Sequence, residues 1–160
     1  MSLIDQETVL FDDASILGSN AVYSNIVTLA GEGAPAIPSG SYGYGAGSPK
    51  YINVSVGDAW GGGTSGTIAI RTSDTLTGAV ATSDLALSSP TTLYTTAAIL
   101  TSNAVKRSPI FKAALFSFPG VKKYVDAVFT PTGTFTSGSV NASIGIGYQE
   151  LNVSPMPVSN

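Results

Sequence analysis

The chain contains no cysteine and no histidine. The first absence rules out disulfides and thiolate metal sites. The second removes the imidazole on which the usual serine and cysteine nucleophile mechanisms depend, and with it imidazole-based zinc and iron sites. Charge is scarce too: 7 Lys and Arg with 10 Asp and Glu in 160 residues, or 11%, against roughly a quarter in a typical soluble domain. A surface so poor in charge is expected to be covered by copies of the same chain or by a larger assembly. The plainer alternative is a Ser/Thr-rich β protein whose hydroxyls supply the polarity.

The few charges are unevenly placed. The formal net charge is −3, which argues against general nucleic-acid binding, since a phosphate backbone asks for a basic surplus. Five of the seven basic residues lie between Lys106 and Lys123, and the first 49 residues have none. This asymmetry is fit to orient the protein on an oppositely charged surface, although such clusters are more often solvated faces. No apolar run approaches the roughly 18 residues of a membrane span. Met1-Ser2-Leu3-Ile4-Asp5 opens no basic and apolar leader, so a cytoplasmic site of synthesis and use is expected.

What is present is strand chemistry. Residues 50–57 alternate Ile52, Val54 and Val56 against Asn53 and Ser55, and residues 66–72 repeat the pattern with Ile68 and Ile70. Residues 139–148 carry the longest alternation, with Val140, Ala142, Ile144, Ile146 and Tyr148 on one face and Asn141, Ser143, Gly145 and Gly147 on the other. Each reads as a strand with one buried face. Further strands are expected at 21–30, 91–99, 110–118 and 122–130, with a short edge piece at 8–11. Pro119-Gly120 and Thr136-Ser137-Gly138 punctuate them as turns. Seven or eight short strands point to an all-β, jelly-roll-like antiparallel β-sandwich in one domain spanning 1–160. Residues 1–20 then form an N-terminal arm and first edge strand. Residues 31–49 form a long Gly/Pro/Tyr loop with Tyr42 and Tyr44 at its tip, and Pro-interrupted residues 152–160 form a C-terminal arm.

Candidate chemistry is thin. A Ser–Lys dyad from Ser108 with Lys106 or Lys112 is the one nucleophile left open, and the β-rich context does not single it out. Asp12 and Asp13, adjacent on a strand, are expected to face opposite sides, which disqualifies them as a catalytic pair. Asp58, Asp74, Asp84, Asp126 and Glu150 stand singly near strand ends, and no Asp-x-Asp-x-Asp-Gly calcium loop occurs. Gly61, Gly63 and Gly66 match G-x-G-x-x-G, but Thr67-Ile68-Ala69-Ile70 follows as a strand where a dinucleotide site needs a helix. No catalytic residue, metal or cofactor is expected. Phe111, Phe116, Phe118, Tyr124 and Phe129 overlap the basic cluster, and their alternation assigns most of them to a core rather than to stacked bases. The residues best suited to a partner interface are Tyr42, Tyr44, Trp60, Lys106 and Arg107; for Trp60, capping one end of the core is an equal alternative.

Residues 85–148 also resemble a known family. Leu85-Ala86-Leu87 with Ser89-Pro90 is followed by an apolar strand near 110–118, then Phe118-Pro119-Gly120 and Lys123-Tyr124-Val125. Thr132-Gly133-Thr134-Phe135-Thr136-Ser137-Gly138-Ser139-Val140-Asn141-Ala142 closes the stretch. Together with Phe11-Asp12-Asp13-Ala14 and Ile26-Val27-Thr28-Leu29, this resembles the capsid cement, or head-decoration, proteins of tailed bacteriophages that form jelly-roll trimers. The resemblance implies a homotrimer bound to the major capsid protein on the virion surface, where capsomers meet, clamping the shell against the pressure of packed DNA. It implies no nucleic-acid or membrane partner. Another virion part, such as a tail or spike subunit, and a carbohydrate-binding β-sandwich stacking sugars on Trp60, Tyr42 and Tyr44 are the alternatives.

Overall fold

A computed structural model describes residues 9–29, 50–78 and 85–146. The strands in chain order are β1 (Val9–Ser15), β2 (Val22–Tyr23), β3 (Val27–Thr28), β4 (Lys50–Val56), β5 (Ser65–Ser73), β6 (Leu76–Thr77) and β7 (Ala86–Leu87). They continue with β8 (Thr91–Thr95), β9 (Ile99–Leu100), β10 (Pro109–Ala114), β11 (Tyr124–Thr132) and β12 (Ser139–Ile146). One sheet has the order β1-β12-β4-β10; the other has β2-β11-β5-β8, with β3 also on β11 and β9 also on β5. Every pairing is antiparallel. Taking β2 with β3, and β8 with β9, as two interrupted strands gives each sheet four strands. Apart from the short β6–β7 pair, which forms a sheet of its own, consecutive strands then alternate between the two sheets except β5 and β8, which pair within one, and the order is that of a jelly roll.

The interruptions have visible causes. Between β2 and β3 the Ser24 hydroxyl accepts from the Ala127 N–H at 2.8 Å while the Ser24 N–H donates to the Ala127 carbonyl. The next residue, Asn25, turns its N–H to the Leu10 carbonyl of β1. Between β8 and β9, Thr96 Oγ1 accepts from the Ile68 N–H at 3.0 Å. A side chain thus takes a place in the ladder at both interruptions, which keeps the Ala127 and Ile68 amides paired.

Alternation decides the faces as expected. Ile52, Val54, Val56, Ile68, Ile70, Val125, Ala127, Phe129, Val140, Ala142 and Ile144 point between the sheets and are buried. At one end, where loops 16–21, 57–64, 96–108 and 133–138 meet, Trp60, Phe129 and Phe135 pack edge to face with centroids 5.1–5.7 Å apart. Gly66 makes room for Phe129, because a Cβ there would lie 2.3 Å from the ring. At the open edge between β8 and β10, Tyr94 stacks on Phe111 at 4.5 Å, with Phe118 beside them.

Several expectations need correction. The edge piece at 8–11 is a full strand to Ser15, bulged between Phe11 and Ala14. The bulge carries Asp13 at φ 46 and leaves Asp12 and Asp13 both exposed, not on opposite faces. Segment 110–118 is strand only to Ala114 and ends in a 3-10 turn at Leu115–Ser117. Tyr124 points outward with the Lys123 ammonium 5.0 Å from its ring, whereas Phe129, Phe111 and Phe118 pack on the core. β7 falls on the strand-like Leu85-Ala86-Leu87, while its partner β6 had no expected counterpart. Residues 31–49 and 152–160 lie outside the described residues.

The Gly66–Phe129 contact is testable by urea unfolding. Phe129→Ala is expected to cost about 3–5 kcal/mol, and Gly66→Ala about 1–3 kcal/mol by overpacking. Gly66→Ala combined with Phe129→Leu should cost less than the sum, because the smaller side chain relieves the overlap; strict additivity would refute the contact.

Candidate functional site

The loop end of the sandwich gathers three of the residues singled out by sequence. Trp60 sits in the loop after β4. Its backbone N–H donates to the Ala104 carbonyl at 3.1 Å and its indole N–H to the Ser139 carbonyl at 3.1 Å. Gly138, at φ 124, lets the β11–β12 turn pass over the indole, where a Cβ would fall 2.8 Å from Trp60 Cδ1. The residue is 5% exposed. Of the two readings open for Trp60, partner-facing aromatic or core cap, its burial favours the second: the ring caps the core, and its one polar atom is satisfied by backbone.

Two residues beyond Ala104, Lys106 and Arg107 face solvent. Lys106 Nζ lies 2.7 Å from Asp58 Oδ1, with both side chains more than half exposed. A pair so exposed contributes little stability. Arg107 adopts φ 63, and its N–H is shared between the Val56 and Gly57 carbonyls at 3.1 and 3.2 Å. The chain therefore enters β10 locked to the end of β4. Ser108 Oγ donates to the Val105 carbonyl at 2.8 Å, so its proton is held by the turn and not by a lysine. Trp60 and the Lys106–Arg107 pair share one end of the fold but face opposite ways. Tyr42 and Tyr44 lie outside the described residues.

Asp13 Oδ1 accepts from Ser139 Oγ, which in turn accepts from the Asp58 N–H at 2.6 Å; the Asp13 N–H donates to Asn141 Oδ1 at 2.6 Å. This network ties the bulge of β1 to the outer face of β12 and to the loop after β4. Among the described residues, no three His, Cys, Asp or Glu side chains come together as a metal site would require.

On the outer face of the β11–β5 sheet, Asp126, expected to stand singly near a strand end, lies instead within β11 and has a partner. Arg71 and Asp126 are direct cross-strand partners. Arg71 Nε lies 2.9 Å from Asp126 Oδ1 and a second guanidinium nitrogen binds Oδ2, a bidentate pair with the Asp126 side chain 4% exposed. The Tyr23 ring lies 5.3 Å from the guanidinium carbon. Around this neutralised pair the face shows Thr67, Ala69, Val128 and Thr130, with Leu100 at one border. Two isolated charges of opposite sign in neighbouring strand predictions were the only available signal, and register was needed to join them.

No protein-family model matches the chain, and no curated protein matches it in sequence.

Two outcomes follow from these geometries. Trp60 is the sole tryptophan, so native fluorescence is expected to be blue-shifted and poorly quenched by iodide; strong quenching would contradict its burial. Asp126→Ala should cost about 3 kcal/mol by stranding Arg71, and the double replacement Arg71→Met/Asp126→Leu clearly less, both read from urea midpoints.

Proposed function

We propose that the chain is a structural virion protein: a jelly-roll subunit that forms a homotrimer and binds the outside of a tailed-phage capsid at capsomer junctions, with the major capsid protein as its partner. The observation that carries this is a closed β body whose reactive-looking groups are spent on holding it together, under a charge-poor surface. Trp60, Ser108, Ser139, Arg71 and Asp126 are each engaged by backbone or by one another. Leu17, Tyr23, Leu100 and Val105, by contrast, stand 49–63% exposed. Isolated exposed apolar residues are ordinary. Here they accompany a scarcity of charge that contact with other proteins accounts for.

The role asks for no catalytic residue and no cofactor. A cement subunit works by binding energy: each trimer touches more than one capsomer, so separating the capsomers under DNA pressure requires breaking trimer contacts as well as shell contacts. A stiff antiparallel sandwich transmits that load without yielding, because its ladders and core resist shear together. The resemblance of residues 85–148 to cement proteins points the same way. A carbohydrate-binding module is the weaker reading, since of the aromatics it rests on, Trp60, Tyr42 and Tyr44, the one among the described residues, Trp60, is enclosed by Phe129 and Phe135.

Light scattering after gel filtration is expected to give three times the chain mass of 16.2 kDa. The purified protein should co-sediment with undecorated capsids and raise the temperature at which they release DNA. A monomer that leaves capsids unbound would overturn the proposal.

A further inference from the structure

Alternation turns every second residue of β2, β11, β5 and β8 away from the core, and together these residues make one face. Register sets Tyr23, Val128, Ala69 and Thr95 in one row and Asp126, Arg71 and Thr92 in the next, with Thr130 and Thr67 in the row on the other side. The first row spans about 14 Å at three strand spacings. Apart from Arg71 and Asp126, which neutralise one another, β2, β3, β5, β8, β9 and β11 contain no charged residue. The face is therefore neutral and rich in hydroxyls. Thr92, Thr95 and Thr130 are exposed, and the hydroxyls of Tyr23, Thr67, Thr92, Thr95 and Thr130 have no partner among the described residues.

Tyr23 is 63% exposed, while Val128, its partner across the ladder, is 6% exposed. The ring thus covers Val128, with the Arg71 guanidinium carbon 5.3 Å from its centroid, and leaves its outer side open to solvent. Ala69, the smallest side chain of the row, makes a shallow dip between Tyr23 and Thr95. Of the five N–H donors of a guanidinium, Asp126 takes the one on Nε and one on Nη2. The planar fork then directs the Nη1 hydrogens away from the carboxylate. A buried ion pair adds little stability over apolar residues of like volume. Its presence on an outward face is better accounted for by what it holds in place, a guanidinium plane fixed beside an aromatic ring.

We propose that this face is a saccharide-binding site, taking a short neutral oligosaccharide along the row from Tyr23 to Thr95. The negative face of an exposed aromatic ring suits the C–H face of a pyranose. The spare guanidinium donors suit neighbouring sugar hydroxyls as acceptors, and threonine hydroxyls, donor and acceptor in one, suit a ligand whose own hydroxyls are both. The lack of net charge favours neutral sugars over sialylated ones. A protein partner fits less well, because apolar side chains laid on this face would strand its hydroxyls, at a cost for each. Asp126 acts as a positioning residue, holding Arg71 so that binding has little left to order. Trp60 has no part in the site, which goes beyond the structural role proposed above and does not rest on it. Repeated over an assembly, contacts of modest strength add by multivalency.

The test is an array of neutral and sialylated oligosaccharides, followed by titration calorimetry with the sugar that binds. The wild-type chain is expected to bind at least one neutral series, with an affinity indifferent to salt. Tyr23→Ala and Arg71→Met/Asp126→Leu should each weaken binding at least about tenfold, with the urea midpoint of Tyr23→Ala close to that of the wild type. Tyr23→Phe keeps the ring and should keep most of the affinity, which separates stacking from misfolding. Leu17→Ser, at an exposed residue outside these strands, should bind as the wild type does. An array silent for every neutral sugar would overturn the proposal, as would binding that survives both the Tyr23→Ala and the Arg71→Met/Asp126→Leu replacements. A silent array together with loss of self-association in Tyr23→Ala would overturn it in favour of a protein contact on this face.

Discussion

The packing of Trp60, Phe129 and Phe135 at one end of the sandwich is the contact on which the rest of the fold depends. Two sheets of alternating residues can slide over one another as long as their inner faces are uniformly aliphatic. Large rings set edge to face do not slide, because each fixes the orientation of the others. Phe129 comes from the middle of β11, Phe135 from the turn after it, and Trp60 from the loop after β4. The three therefore pin both sheets and two of the four loops at that end. The indole bond to the Ser139 carbonyl then fixes where β12 begins, and with it the register of the β1-β12-β4-β10 sheet.

Away from that end the structure manages with very little charge. Polar groups that must be buried are met by hydroxyls: Ser24 and Thr96 fill gaps in the ladder. Thr72 Oγ1 binds the Tyr124 carbonyl and receives the Lys122 N–H. Among the described residues the one deeply buried charge, Asp126, is matched by the two-point geometry of Arg71, whose guanidinium lies over the Tyr23 ring. Hydroxyls cost less to desolvate than ions, so a chain built this way can present extensive surface to partners without stranding charges there. What charge remains is concentrated on sheet edges and loop ends. There it governs which surfaces of two molecules can approach, more than how stable one molecule is.

Edges are the vulnerable places of any β-sandwich, since their unpaired backbone invites further strands. β1 answers with a bulge, two carboxylates and the side contact from Asn25; β10 answers with Pro109 and basic side chains.

Much of this was legible in the sequence, and the boundary has a physical cause. Alternation at 50–57, 66–72 and, within the described residues, 139–145 assigned inward and outward residues correctly, because the two-residue period is a property of the strand alone. The scarcity of Gly-free, Pro-free helical stretches fixed the all-β class for the same local reason. Trp60 resisted assignment because an exposed platform and a core cap need the same residue in the same loop. Only the enclosure by Phe129 and Phe135, far along the chain, decides between them. The Asp12–Asp13 pair was misjudged since a bulge depends on what β12 offers opposite, and Arg71 met Asp126 across 55 residues through a register no local pattern encodes. By itself the sequence determined the class of fold, the face of each regular strand and an uneven distribution of charge along the chain. Tertiary structure decided which strands became edges and which distant residues meet, as Arg71 and Asp126 do, because strand neighbours are chosen by long-range pairing and not by position in the chain.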